Sequence, residues 1–168
     1  MTVIGDASVF IALQRIGEME LLARLYRTVH VPDAVWREVF LPSRPGAAVE
    51  APVWIVRHVV ARSGTEESWP ETLDPGETEA ILLCQELAAD LLLIDDSAGR
   101  RVAQHLGLNV AGVVGVLLDA KRRGQISQVK PMLDRLRESG FWLANRLLED
   151  ALRRANEYSE PPRVGSND

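Results

Sequence analysis

Two apolar runs in this chain end in an aspartate: TVIG leads into Asp6, and LLLI leads into Asp95. If both runs are strands of one parallel sheet, both acids emerge at the same edge of it. Carboxylates gathered at one edge repel each other, and the cluster is tolerable when protons or cations neutralise it. Hard oxygen ligands on a partly open site suit Mg²⁺ or Mn²⁺. Helical spacing adds two members. At about 100° per residue, Glu77 in GETEAILLCQELAA falls on the face of Ile81, Cys84 and Ala88, the apolar and therefore inward side. Glu79 shares a more charged face with Leu83 and Glu86, which makes it the second choice of that pair. In PDAVWREVF the apolar stripe is Val35 with Val39; Glu38 lies about 60° to its flank and can reach the sheet edge, while Arg37 points away.

Each of these acids also has a purely structural reading. Asp6 could cap the helix that follows, but Ser8 is a good cap for SVFIALQRIG and leaves Asp6 for the site. In the DDS trio, Asp96 or Ser97 is expected to cap SAGRRVAQHLG, so Asp95 at the strand end is the better ligand and Asp96 the weaker one. Glu38 alone reads as a solvated helix residue, and Glu77 alone as a favourable charge in a first helical turn. Only together do these acids point to chemistry.

The elements that must position this set alternate along the chain. TVIG, VHV, WIVRHVV, LLLI and NVAG read as strands. Between and after them stand helices in SVFIALQRIG, EMELLARLYRT, PDAVWREVF, GETEAILLCQELAA, SAGRRVAQHLG, VGVLLDAKRRG, VKPMLDRLRESG and NRLLEDALRRANEY. Pro32 is read as the first-turn proline of PDAVWREVF. Short strands alternating with helices call for an α/β fold: a three-layer sandwich with a central parallel sheet flanked by helices, with further helices at the C-terminus. Such sheets bind ligands at the carboxyl ends of their strands, where the strand order reverses. Residues 41–74 form an irregular insert holding one strand, with LPSRPG as loop and SGTEESWPETLD as a polar, mobile stretch. We therefore divide the chain into a domain over 1–140, a C-terminal helix over 141–158 and a disordered tail over 159–168.

Bulk composition narrows the class. A chain of 168 residues with 46% apolar residues has enough material for one full core. Its lone cysteine, Cys84, cannot form an internal disulfide and reads as an inert core residue. The early acid in MTVIGDASVF argues against a secretion signal, and no run approaches the ~20 apolar residues of a membrane span, so a cytoplasmic protein is expected. A net charge of −5 argues against a broad basic surface, so a nucleic acid, if bound, is gripped locally. The available cations are Arg100 and Arg101 after LLLIDD, and Lys121, Arg122 and Arg123 in AKRRG. The latter group reads chiefly as the cationic end of a helix before Gly124. Arg100 is the better substrate contact. His30, His58 and His105 are scattered, and no P-loop, dinucleotide fingerprint or paired zinc spacing is present.

The segments IGDASVFIAL, VPDAVWREV and LDPGETEAILLCQELAADLLLIDDSAGRRVAQHLGLNVAGVVGVLLDAKRRGQI resemble, in order and spacing, the toxin-like (VapC-like) branch of PIN-domain proteins. The resemblance runs from about Val3 into the 130s. It implies a PIN-like sandwich and a metal-dependent endoribonuclease that uses three or four acids. On this chain those acids are Asp6 with its neighbouring hydroxyl Ser8, then Glu38, Glu77 and Asp95, with Asp96 as a substitute. It further implies Mg²⁺ or Mn²⁺ as cofactor, RNA as substrate, a small antitoxin as protein partner and a homodimer. The chain departs from the family pattern in two places. The third acid is often Asp and here is Glu, and Val113 stands where Thr is common.

Three rival readings stand beside this one. A PIN-like regulatory or binding module would keep the fold and turn over poorly. A phosphoacceptor receiver domain expects an acid pair after the first strand and a late strand-end lysine, whereas Asp6 stands alone and NVAG ends without lysine. A haloacid-dehalogenase-type phosphatase expects a second Asp at position 8, which is Ser.

Overall fold

A computed structural model describes residues 1–41, 50–61 and 68–159. Five strands, β1 (Val3–Gly5), β2 (Val29–Pro32), β3 (Ile55–His58), β4 (Leu91–Leu93) and β5 (Val110–Ala111), form one sheet in the order β3-β2-β1-β4-β5. Every pairing is parallel. The helices are α1 (Ala7–Arg15), α2 (Leu21–Tyr26), α3 (Asp33–Phe40), α4 (Pro75–Glu86), α5 (Ser97–His105), α6 (Val113–Arg122), α7 (Lys130–Glu138) and α8 (Asn145–Arg154). The expected parallel α/β sandwich is the fold observed.

A parallel sheet must bury both faces, and the strand alternation does so here. Ile4, Leu92 and Ile94 face α4 and α5, packing with Ile81, Leu83, Cys84 and Ala103. Val3, Val29, Val31 and Leu93 face the opposite way into a larger core built from α1, α2, α3 and α6, which also takes Leu133 and Leu136 of α7 and Ala151 and Leu152 of α8. Cys84 is fully buried, and desolvation pushes its thiol up to about 12, so it is inert at neutral pH.

Several local expectations change. Asp6, not Ser8, is the N-cap of α1: its side chain accepts from the Ser8 amide at 3.1 Å, and Ser8 already lies inside the helix. The reason is that the strand ends one residue earlier than the acid, so the first extended residue with a free carboxylate takes the cap. Pro32 closes β2 and caps α3 with extended backbone instead of opening the helix. The histidines are not all scattered, since strand register brings His30 Nδ1 to 2.8 Å from His58 Nε2. The LPSRPG loop falls mostly outside the described residues, as do part of SGTEESWPETLD and almost all of the expected tail.

The AKRRG cations are engaged internally. Lys121 bonds Ala155 O and Glu157, Arg122 pairs with Asp119, and Arg123 reaches Leu25 O and Asp119. Among the described residues no helix is long and apolar enough to cross a membrane.

Candidate active site

The strand order reverses between β1 and β4, which pair through Val3–Leu91, Ile4–Leu92 and Gly5–Leu93. Asp6 follows β1 directly, and its amide donates to Leu93 O at 2.9 Å. Asp95 lies two residues beyond β4. The two acids therefore flank the crevice at the carboxyl edge where this architecture opens. Ser8 ties them together: its hydroxyl donates to Asp6 Oδ2 at 2.6 Å and accepts from the Asp95 amide at 3.1 Å. Its proton is thus committed to holding Asp6.

Asp95 is fixed from the other side. Both its carboxylate oxygens accept from the Val113 amide at the start of α6, each at 3.1 Å. Because the backbone makes this bond, a valine at 113 supports it as well as any residue. Arg100 reaches back from α5 to donate to Ile94 O at 2.9 Å, beside the same carboxylate.

α4 contributes Glu77, which is only 5% exposed. Its position follows from a capping box at the helix start: Asp74 accepts from the Glu77 amide at 2.8 Å, and the Glu77 carboxylate accepts from the Asp74 amide at 3.0 Å. Gly76 lets this turn press against β1, since a Cβ there would stand 3.2 Å from Asp74 Oδ1 and 3.6 Å from Asp6 Oδ1. Gly99 does the same for α5, where a Cβ would come within 2.5 Å of Ile94 Cδ1 and 3.5 Å of the Glu77 carboxyl carbon. Glu38 lies exposed on α3, close enough to Asp74 and Asp6 for both charges to act on it.

Asp74 is the acid that the sequence reading missed. Its signal was present in Asp-Pro-Gly-Glu, a cap residue, a first-turn proline and a glutamate three positions after the cap, but the surrounding segment has no periodicity. Asp96 caps α5 as expected, accepting from Ala98 and Gly99. Glu79 serves the architecture instead of the acid cluster, accepting the Ala34 amide at 2.9 Å and so tying α4 to the first turn of α3. Glu79→Ala should destabilise the protein by about 1 kcal/mol in urea denaturation. An unchanged midpoint would show that this bond contributes nothing.

The four expected acids share one electrostatic condition. Burial raises the pKa of Asp6, and Asp74 adds to the effect. Glu38, although exposed, is raised by the partial desolvation of its carboxyl and then by the charges of Asp74 and Asp6. Burial pushes Glu77 to about 7 against the Asp74 amide, which opposes it, while the charges of Asp74, Asp96 and Asp6 add to the rise. Burial pushes Asp95 to about 6, with Asp6 adding to it while the Val113 amide and Arg100 oppose. Asp96 behaves otherwise. Although burial works against its charge, the amides of Gly99, Ala98 and Ser97 and the Glu77 carboxyl hold it low.

This donor set fits a divalent cation chemically, because all-oxygen carboxylates that resist ionising beside one another are relieved by positive charge. As the side chains stand, among the described residues no three of them are arranged to hold a metal ion.

A carboxyl whose folded pKa is raised binds more protons folded than unfolded, so stability falls as pH rises through the raised values. The window runs from the ordinary carboxylate range up to about 6 for Asp95 and about 7 for Glu77. Without metal, Tm should be lower at pH 8 than at pH 5.5. Mn²⁺ at about 100 times its Kd should raise Tm by about 6 °C at pH 8 and by much less at pH 5.5, where protons compete. Scanning fluorimetry at the two pH values checks this, and an equal shift at both would contradict it.

An all-parallel α/β sandwich with an acidic crevice at its switch point defines a class of carboxylate-edge α/β proteins. Within that class, a family model described as a PIN domain matches residues 2–157, and the chain belongs to the PIN-domain family. PIN domains are generally metal-dependent nucleases, so the fold is a nuclease fold. No curated protein and no solved structure matches the chain.

Proposed function

We propose that this protein is a metal-dependent endoribonuclease that hydrolyses RNA phosphodiester bonds, the toxin component of a toxin-antitoxin pair. The observation that supports the reading is Asp6 and Asp95 at adjacent strand ends, tied together through Ser8, with Glu38, Glu77 and Asp95 each raised in pKa in part by the charge of Asp6. Asp6 and Asp95, held rigidly by Ser8 and Val113, would be the principal ligands of Mg²⁺ or Mn²⁺. Glu38 and Glu77 would complete the set, and Asp96 would be a weaker substitute. When bound, the cation supplies charge neutralisation at the phosphate and acidifies water for attack. Ser8 orients Asp6. Arg100 stands on the far side of Asp95, where its remaining guanidinium N–H groups can meet a phosphate oxygen. A small antitoxin, a homodimer and a cytoplasmic location belong to this proposal through the toxin-like resemblance.

The test is incubation of the purified protein with structured and single-stranded RNAs in Mg²⁺, Mn²⁺ or EDTA, beside an Asp95→Asn variant. Metal-dependent cleavage that the variant loses supports the nuclease. No cleavage, or cleavage unaffected by EDTA or by the variant, overturns it.

One observation favours a second reading, a PIN-like binding or regulatory module with little turnover. Glu77 is engaged in the capping box with Asp74, and the acids are not yet arranged around one point. RNA binding without cleavage in any divalent metal would select this reading.

A further inference from the structure

A cleft of about 490 Å³ opens directly beside Asp95, and neither the acids nor the fold accounts for it. Its floor is the start of α6 and the end of β5, with Gly112, Val114 and Gly115 among its lining. Its outer wall is α8, through Leu147 and Arg154, and Arg100 stands at its inner end. A second cleft of about 540 Å³ shares Gly115 and Arg154 with it and continues between α6 and α8 past Arg122. The two together form a track that starts at Asp95 and passes Arg100 and Arg154 before it reaches Lys121, Arg122 and the Asp119 carboxylate that pairs with Arg122.

Arg154 is the informative residue on this track. Its only ion pair among the described residues is with Asp150 on the same helix, at 4.0 Å with both side chains more than half exposed. Such a pair contributes little and leaves the guanidinium available. The other cations near the track are engaged: Lys121 with Ala155 O and Glu157, and Arg122 with Asp119. Among the described residues, no amide or hydroxyl side chain lines the first cleft. It offers aliphatic surface against which a base can lie and guanidinium groups for phosphates, so recognition there is by shape and charge and tolerates different bases.

We infer that the groove between α6 and α8 takes the single-stranded RNA leaving the acid cluster, with one nucleotide in the cleft beside Asp95 and its outer phosphate on Arg154. This rests on the ribonuclease reading for the nature of the ligand. It assigns α8 a part in substrate binding, and it explains how a chain of net charge −5 grips a polyanion locally.

The test is fluorescence anisotropy of a labelled, short, mixed-sequence single-stranded RNA on the full chain in Ca²⁺, over a range of salt concentrations. Arg154→Ala should bind about tenfold more weakly and lower the slope of log affinity against log salt by ~0.7, the loss of one phosphate contact. Leu147→Glu should weaken binding as well. Arg146→Ala, on the same helix but outside the groove, should bind like wild type, and Tm should be unchanged in all three. In the cleavage assay Arg154→Ala should raise KM with kcat unchanged. Wild-type affinity and salt slope in Arg154→Ala, or no RNA binding by the wild type, would overturn the groove. RNA bound through Arg154 but never cut would leave the groove standing and remove the nuclease.

Discussion

Asp6→Asn is expected to lower RNA cleavage at least about 10²-fold while leaving the protein as stable as wild type, or more stable at pH 8. The activity loss follows from removing one anionic oxygen from the proposed ligand pair. Charge stabilisation by a bound cation amounts to several kcal/mol, and each 1.36 kcal/mol is about tenfold in rate. The stability outcome comes from the structure around Asp6. An asparagine Oδ1 in the place of Asp6 Oδ2 can still accept from both the Ser8 amide and the Ser8 hydroxyl, and so keep the cap on α1. The substitution also removes a buried charge that raises Glu38, Glu77 and Asp95. Cleavage rates and thermal melts of the same preparations separate the two effects. A variant that melts well below wild type would mean that Asp6 is chiefly a cap, and one that cuts normally would remove it from the site.

The second large effect is expected at Gly112, which carries no charge and would attract no attention as a catalytic residue. A Cβ built there falls on Asp95 Oδ1, lies 3.1 Å from Asp95 Cγ and 3.2 Å from Arg100 Nη1. The backbone of Gly112 is extended, with φ −97°, so an alanine meets no torsional obstacle. The conflict is with the Asp95 carboxylate first and, more mildly, with the Arg100 guanidinium. Gly112→Ala must push Asp95 off the Val113 amide and towards β1, which should lower activity about 10²-fold and destabilise the fold by about 1–3 kcal/mol. Metal titration by calorimetry would show weakened binding in the same variant. Wild-type activity would mean that the position of Asp95 is not critical to the reaction.

The sequence revealed the sheet and its acidic edge because parallel strands buried on both faces leave uninterrupted apolar runs, and both TVIG and LLLI stop at an acid. Helical phase correctly put Glu77 inside, at 5% exposure. It could not tell that Glu79 would meet the Ala34 amide, since that contact depends on how α4 crosses α3. Capping was half legible. Asp96 stands where expected, but Asp6 and Ser8 are both good caps, and only the end of β1 decides between them. Asp74 and the His30–His58 pair were hidden for related reasons. One lies at the close of a segment with no period, and the other depends on strand register between residues 28 positions apart. The groove beside α8 was invisible, because local patterns do not show where a terminal helix docks.

The most direct test of the account is Mn²⁺ binding to the full chain at pH 8, by calorimetry, for wild type, Asp6→Asn and Asp95→Asn. Saturable binding by wild type, weakened at least about tenfold in each variant and released by lowering the pH below 6, is the predicted result. Wild type that binds no Mn²⁺, or variants that bind it as tightly as wild type does, would contradict the claim that these strand-end carboxylates form a metal-dependent active site.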